Sequence, residues 1–298
     1  MNYIGFKLKK VFLNRLFVPF WKTRKERWIR RNRITAELSE QYLENMPVVV
    51  PDRSVPERMP KEYVFSMWLQ GEEKAPRIVK SCWESVRRHC SVELIILDAE
   101  SINLWIDLPK GFLDRWRAGK IKACHVADLC RVELLWKYGG YWMDATDYMC
   151  HPMPEFIVQS PFFMYMSDEE WNFFIQNCFI RAYAHHPIIG AWRDIIRAYW
   201  MQHTLAFDYF LPHRLFRHMV NTDARVAGMF SKMPKICHNC TQVLWEKFRD
   251  KPFDEGIFQE LTSEGAFQKL EYKSSSAREP LEGTFADYIV NGKLLRSC

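Results

Sequence analysis

The sequence predicts an α/β domain, a mostly parallel sheet with helices on both faces, and three observations carry that prediction. "EYVFSMWL" and "VELIILD" are short apolar runs rich in β-branched and aromatic residues, and they stop at Gln70 and Asp98. Helix-length stretches separate such runs, and strands covered on both faces read as near-continuous apolar segments. A third run, Tyr141, Trp142 and Met143 within "WKYGGYWMDATDYM", follows two glycines and breaks off at Asp144 and Asp147.

In chain order, residues 1–33 come first. They hold eleven Lys or Arg and one acid, a net +10 in a chain of +6 overall, so the remaining body is mildly acidic. "FKLKKVFLNRLFVPFWKTRKERWIRRNR" interleaves those charges with Phe6, Leu8, Val11, Phe12, Leu16, Phe17, Phe20 and Trp21. That pattern suits a helix lying on an anionic membrane surface; packing on the protein's own body is the alternative, and a nucleic-acid partner is not supported. Asn14 and Arg15 interrupt the apolar stretch, so it does not read as a signal peptide. No apolar run approaches the roughly twenty residues of a transmembrane helix.

A short helix is expected over 34–46, and "MPVVVPDRSVPERMP" reads as a proline-punctuated linker. The expected organisation is an arm over 1–46, a linker over 47–60 and one domain over 61–298. After the first strand, a helix is expected from about 76 to 90, with Pro76 suited to a first helical turn. Short helices surround "DLPKG", and "KIKACHVADLCRVELLWKY" is a longer helix ended by glycine. Its apolar residues surround the axis, so it should be buried, with Asp128 and Arg131 as charges in apolar company. Farther on, "FFMYM" and "NFFIQNCFI" read as strands, 187–203 as an amphipathic helix and 208–231 as one or two more. "SSSAREP" reads as a flexible loop.

The nine cysteines are odd in number and scattered among core-like residues, which suits reduced thiols in a cytosol. "CHNC", Cys237 to Cys240, lacks a second pair at zinc-site spacing and reads as loop packing. His125 reads as a core histidine, and His213 and His218 as surface residues.

Ligands of an open parallel sheet bind outside the carboxyl ends of its strands. Three such ends should converge: 68–71, Asp98, and 144–147. Trp68 is suited to stack on a base, and the carboxylates suit Mg²⁺ or Mn²⁺ carrying a diphosphate. Neither GxxxxGK[ST] nor GxGxxG occurs, so a P-loop or dinucleotide site has no support. Transfer from a nucleotide-activated group remains.

"ADLCRVELLWKYGGYWMDAT" resembles the segment "sDxxRxxxLyKyGGiwlDa" of the capsular polysaccharide synthesis glycosyltransferases, relatives of family 32 and of the clostridial glucosylating toxins. "MWLQGEEKAPRIVKSCWESVRRHC", "LPKGFLDRWRAGKIKACHVADL", "NFFIQNCFIRAYAHHPII" and "FDYFLPHRLF" are similar to further blocks of that family in the same order. The resemblance implies a GT-A, Rossmann-like fold, a nucleotide-sugar donor, often UDP-linked, and Mn²⁺ or Mg²⁺. It implies donor contacts from Trp68, Gln70, Gly71, Asp128, Arg131 and Tyr141, and a metal motif opened by Asp144. An acid at 146 would complete a DxD, but Thr146 stands there with Asp147 next, so either is the second ligand. Asp208, His185 and His186 are acceptor-side candidates, and His238 a possible neighbour of the metal. A retaining transfer to a saccharide or lipid-linked saccharide is expected, in bacterial cytoplasm at the inner face of the membrane. The alternatives are an inactive membrane-bound scaffold of a polysaccharide assembly complex and a sugar-phosphate transferase.

Overall fold

A computed structural model describes residues 1–18, 23–51, 55–167 and 174–295. Phe20 and Trp21 of the basic arm, part of the linker, and positions 172 and 173 of the expected strand lie outside them.

The chain opens with two helices packed on each other, α1 (Tyr3–Phe17) and α2 (Arg24–Leu43). α2 starts ten residues earlier than the sequence suggests. Thr23 and Glu26 form a reciprocal capping box there, which satisfies two of the backbone N–H groups a helix start leaves open. β1 (Tyr63–Met67) then leads to α3 (Arg77–His89), whose Ile78, Val79, Cys82, Trp83 and Val86 recur at helical spacing and are buried on one side. β2 (Glu93–Leu97), the short helices α4 (Ile102–Trp105) and α5 (Phe112–Arg117), and α6 (Ala123–Tyr138) follow. As its pattern predicts, α6 is buried, Asp128, Arg131 and Glu133 included.

Gly139 and Gly140 turn the chain from α6 into β3 (Gly140–Met143) with φ of 64° and 87°. A Cβ at 139 would lie 2.6 Å from the Ala184 nitrogen, and one at 140 would lie 2.4 Å from the Tyr63 carbonyl, so no other residue fits this crossing. β4 (Asp147–Met149), α7 (Glu155–Gln159), β5 (Phe162–Met166), β6 (Ile175–Ala182) and α8 (Pro187–Gln202) come next. The chain then runs through α9 (Leu211–Thr222), α10 (Ala224–Ser231), α11 (Val243–Phe248), α12 (Glu255–Thr262), β7 (Phe267–Lys269), α13 (Ser275–Arg278) and α14 (Phe285–Val290). Ser274 caps α13 by accepting from the Ala277 N–H, so "SSSAREP" carries a short helix instead of a loop.

The main sheet has the order β2-β1-β3-β6-β5. β1 pairs in parallel with β2 and β3, and β6 is antiparallel to both β3 and β5, so four of five strands share a direction. The sheet is thus mostly parallel, with β6 reversed. β4 and β7 form a separate antiparallel ribbon. One core joins the sheet to α6 and α8, and a second lies between α3, β4 and the C-terminal helices around Trp83, Tyr148, Trp245 and Phe285. Among the described residues no helix is long and apolar enough to cross a membrane.

Candidate functional site

β1 and β3 are neighbours in parallel register, Val64 opposite Tyr141 and Phe65 opposite Trp142, so their carboxyl ends open on the same side. There a cleft of about 720 Å³ is lined by Trp68 and Gln70 after β1, Arg131 from α6, Trp142, Asp144 and Thr146, with Tyr209 and Tyr272 on its rim. The Trp68 backbone N–H donates to the Leu97 carbonyl at 2.9 Å, and the indole stands edge-on to Tyr272, with centroids 5.2 Å apart. Gly71 closes the turn after Gln70 at φ 90°. Asp98 does not line the cleft; its Oδ1 accepts from the N–H groups of Glu100 and Ser101 and serves the turn after β2. A groove of similar volume, about 750 Å³, lies between α3 and α14, but no aromatic ring is among the described residues that line it, and its buried Asp287 is paired with Lys293 at 2.6 Å.

The segment after β3 turns at once. The Asp147 N–H reaches the Asp144 carbonyl at 2.9 Å, and the Asp144 N–H donates back to Asp147 Oδ2 at 3.1 Å. This turn brings the two carboxylates together, so Asp147 rather than Thr146 is the partner of Asp144. Between them lies a group that sequence reading misses: Lys269 Nζ, 2.8 Å from Asp144 Oδ2 and 3.0 Å from Asp147 Oδ1. Burial pushes the Asp147 carboxyl up to about 7 despite the nearby ammonium. Burial also opposes the Asp144 charge, yet Lys269 and Arg131 hold that carboxyl below its ordinary value. Burial opposes the Lys269 charge too, but two carboxylates outweigh it and raise its pKa.

Arg131 is buried with its guanidinium 3.2 Å from Asp128 Oδ1, 3.5 Å from Asp144 Oδ1 and 5.0 Å from the Trp142 ring centroid. It also donates to the carbonyls of Asn177 and Ala127. Asp128 lies behind it, bonded to Asn177 Nδ2 at 3.2 Å and to His125 Nδ1 at 3.2 Å, and does not line the cleft. Its place is to hold Arg131, and His125 is the core histidine the sequence suggests.

A divalent cation needs oxygen donors turned to a common free point. Asp144 Oδ1 accepts from Trp142 Nε1 at 2.9 Å and faces Arg131, while Asp144 Oδ2 and Asp147 Oδ1 face Lys269. Among the described residues no group of three His, Cys, Asp or Glu gathers as a metal site. As arranged, these carboxylates hold an ammonium and do not fit a resident metal.

Other expected residues lie elsewhere. Tyr141 is buried beneath Arg181, outside the cleft lining; successive strand residues face opposite ways, and Trp142 takes the cleft side. His185 and His186 follow β6 past Ala182, which pairs with Gly140, and so lie at the end of the sheet away from Asp144. His186 caps α8 and stacks on Phe162. Asp208 lines a second, smaller groove of about 360 Å³ and pairs with Lys10 at 3.5 Å and Arg214 at 3.2 Å. His213 and His218 are buried, against the surface expectation: α2 packs on α9, and His218 meets the Met46 carbonyl at 3.0 Å just after it. His238 is buried beside β7 and does not line the cleft. Cys237 precedes and Cys240 lies within the 3₁₀ turn His238–Thr241, both as free thiols. Lys74, Lys122 and Lys273 line the cleft as isolated surface-type lysines in the sequence, which offers no signal for them.

Fold and cleft together define an α/β protein with an aromatic and strongly basic pocket at the carboxyl ends of parallel strands. A family profile described as "Capsular polysaccharide synthesis protein" matches residues 15–289, and the chain belongs to that family. The O-glycosyltransferase braB of Annulohypoxylon truncatum is 28% identical over 136 residues, 41% of this chain, and the match spans 31% of that relative's length. Among solved structures, the PaToxG glycosyltransferase is similar over 68% of this chain and 83% of its own, at 14% identity and a TM-score of 0.40.

Proposed function

We propose that this protein is a glycosyltransferase that takes a sugar from a nucleoside diphosphate sugar and passes it to a saccharide carried on a lipid phosphate. The observation that carries the reading is the cleft itself: an indole and, among the described residues that line it, four cations, Lys74, Lys122, Arg131 and Lys273, against one carboxylate, Asp144. Family membership and the partial match to an O-glycosyltransferase support it. The order and directions of the strands, with the β4–β7 ribbon beside them, support a GT-A assignment.

On this reading Trp68 and Tyr272 frame the base and the cations hold the diphosphate, preorganised for the charge that grows as it leaves. The bond from the anomeric carbon to the diphosphate breaks and one to the acceptor oxygen forms on the same face. The acceptor hydroxyl proton passes to the departing phosphate, so no separate base is required and configuration is retained.

The smaller groove shares Lys122 and Tyr209 with the donor cleft and adds Lys7, Lys10 and Lys120, a surface suited to an acceptor phosphate. Asp208 there anchors Lys10 and Arg214 and is not a free base. Above it, α1 is anchored by the buried Phe6, packed on Tyr42 and Phe207, and turns Ile4, Leu8, Val11, Phe12 and Leu16 outward. At helical spacing these fall within an arc of about 140° that also holds the exposed Arg15 and is bordered by Lys7 and Lys9, as for a helix on an anionic leaflet. We assign that leaflet to the cytoplasmic face. Leu8→Gln with Phe12→Gln should lower binding to phosphatidylglycerol vesicles at least tenfold with no loss of fold, and unchanged binding contradicts the membrane contact.

The direct test is a panel of nucleotide sugars with chromatography of the released nucleotide. A nucleoside diphosphate released by the native protein and not by Asp144→Asn supports the reading. Release of a monophosphate makes the enzyme a sugar-phosphate transferase, and no release from any donor, with lipid-linked acceptors present, leaves a scaffold.

A further inference from the structure

The pairing of Lys269 with the Asp144–Asp147 turn carries a consequence for the cation that the family resemblance implies. We propose that the Lys269 ε-ammonium takes the divalent ion's place on these carboxylates, so that nucleoside diphosphate binding by this chain needs no metal; this rests on the donor reading above.

Three observations support it. The ammonium is delivered by backbone register: Lys269 sits opposite Asp147 in the β4–β7 ribbon, and the Leu270 N–H extends the pairing to the Thr146 carbonyl at 2.8 Å. A lysine held this way is part of the ribbon and not a side chain that swings in from a loop. Second, the Asp147 side chain has no solvent exposure, and its Oδ1 meets Lys269 at 3.0 Å. A metal ion entering between the carboxylates would have to expel that ammonium and leave it without its two anions, next to a second cation. Third, the cleft does not require extra positive charge. Asp144, the one carboxylate among the described residues that line it, already faces Lys269 and Arg131, so it does not repel a diphosphate, and Lys74, Lys122 and Lys273 remain to bind one. Lys269 lies outside the cleft lining, behind Asp144, which makes it a positioning residue. It holds the carboxylate pair and, through Asp144, the guanidinium that meets the phosphates.

Calorimetric titration of UDP, GDP, CDP and ADP into the full chain, once in EDTA and once in Mn²⁺, tests this. The diphosphate that binds should show dissociation constants within about threefold in the two buffers. Binding tenfold or more weaker in EDTA overturns the proposal, and no binding of any diphosphate in either buffer overturns the donor reading with it. A second readout does not depend on nucleotide. Lys269→Ala leaves two carboxylates facing a vacated cation position, so its melting temperature should drop in EDTA and recover in Mn²⁺, while the native protein ignores Mn²⁺. A native protein stabilised by Mn²⁺ alone, or a Lys269→Ala protein indifferent to it, contradicts the exchange of lysine for metal.

Discussion

Two buried arginines stack on consecutive rings of the same strand and do different things. Arg181 lies 4.5 Å over Tyr141 on one face of β3 and Arg131 lies 5.0 Å over Trp142 on the other. Arg181 is fully buried, paired with Glu62 at 2.6 Å and donating to the carbonyls of Gly140 and Val158, and it lines neither the donor cleft nor the smaller groove. Arg131 is almost as buried but stands between two carboxylates, one of which, Asp144, lines the open cleft. Burial and a ring beneath the guanidinium are therefore common to a fold-holding pair and to a binding site. What separates them is position: the carboxyl end of a parallel strand, where polar groups converge on space instead of on one another.

The comparison breaks most sharply in stability. Arg181→Met removes a fully buried cation, leaves half-buried Glu62 with Arg58 at 3.5 Å, and takes a donor from each of the Gly140 and Val158 carbonyls, so it should cost about 3 kcal/mol of unfolding free energy, with turnover per folded molecule unchanged; denaturant titration beside an activity assay checks both. Adding Glu62→Gln should restore part of the loss. On the other face, Arg131→Met should lower turnover by a hundredfold or more, about 3 kcal/mol of lost charge stabilisation. If the two substitutions gave the same pattern of lost stability and lost activity, the distinction between the faces would fail.

A smaller effect comes from the closed end of the sheet. Burial pushes the His186 imidazole down to about 4, so the unfolded chain takes up its proton first as the solution is acidified. Its stabilising contribution is complete above the ordinary histidine value of 6.5 and is lost as pH falls toward 4. From pH 6.5 to 5 the loss is about 2 kcal/mol. His186→Asn keeps an N-cap acceptor for α8 but has no proton to gain, so it should flatten the acid limb of the stability curve. An unchanged slope would place the acid sensitivity elsewhere.

The same contrast explains what was legible in the sequence. β1, β2 and α3 declare themselves through their apolar patterns and α6 through its length and apolar content; Trp68 and Asp144 follow as residues at strand ends, and Arg131 as a charge inside an otherwise apolar helix. Tyr141 and Trp142 are both apolar-compatible, so the period of two does not say which faces the cleft; the resemblance points to Tyr141, whereas Trp142 lines it. The reversal of β6 is invisible because a buried strand reads alike in both directions. Lys269 is the largest omission. It is 125 positions from Asp144, at the end of a three-residue strand too short to show periodicity, and only the fold makes them neighbours. His213 and His218 mislead in the opposite sense: the His218 side is covered by α2 and the segment after it, and His213 packs against Phe210.

Hydrogen exchange with and without a bound nucleoside diphosphate tests the placement of the site most directly. The account predicts slowed exchange in peptides covering 67–74, 123–131, 142–147 and 268–273, with none around Arg181 and His186. Protection at the Arg181 face, or none at the ends of β1 and β3 despite binding, would contradict it.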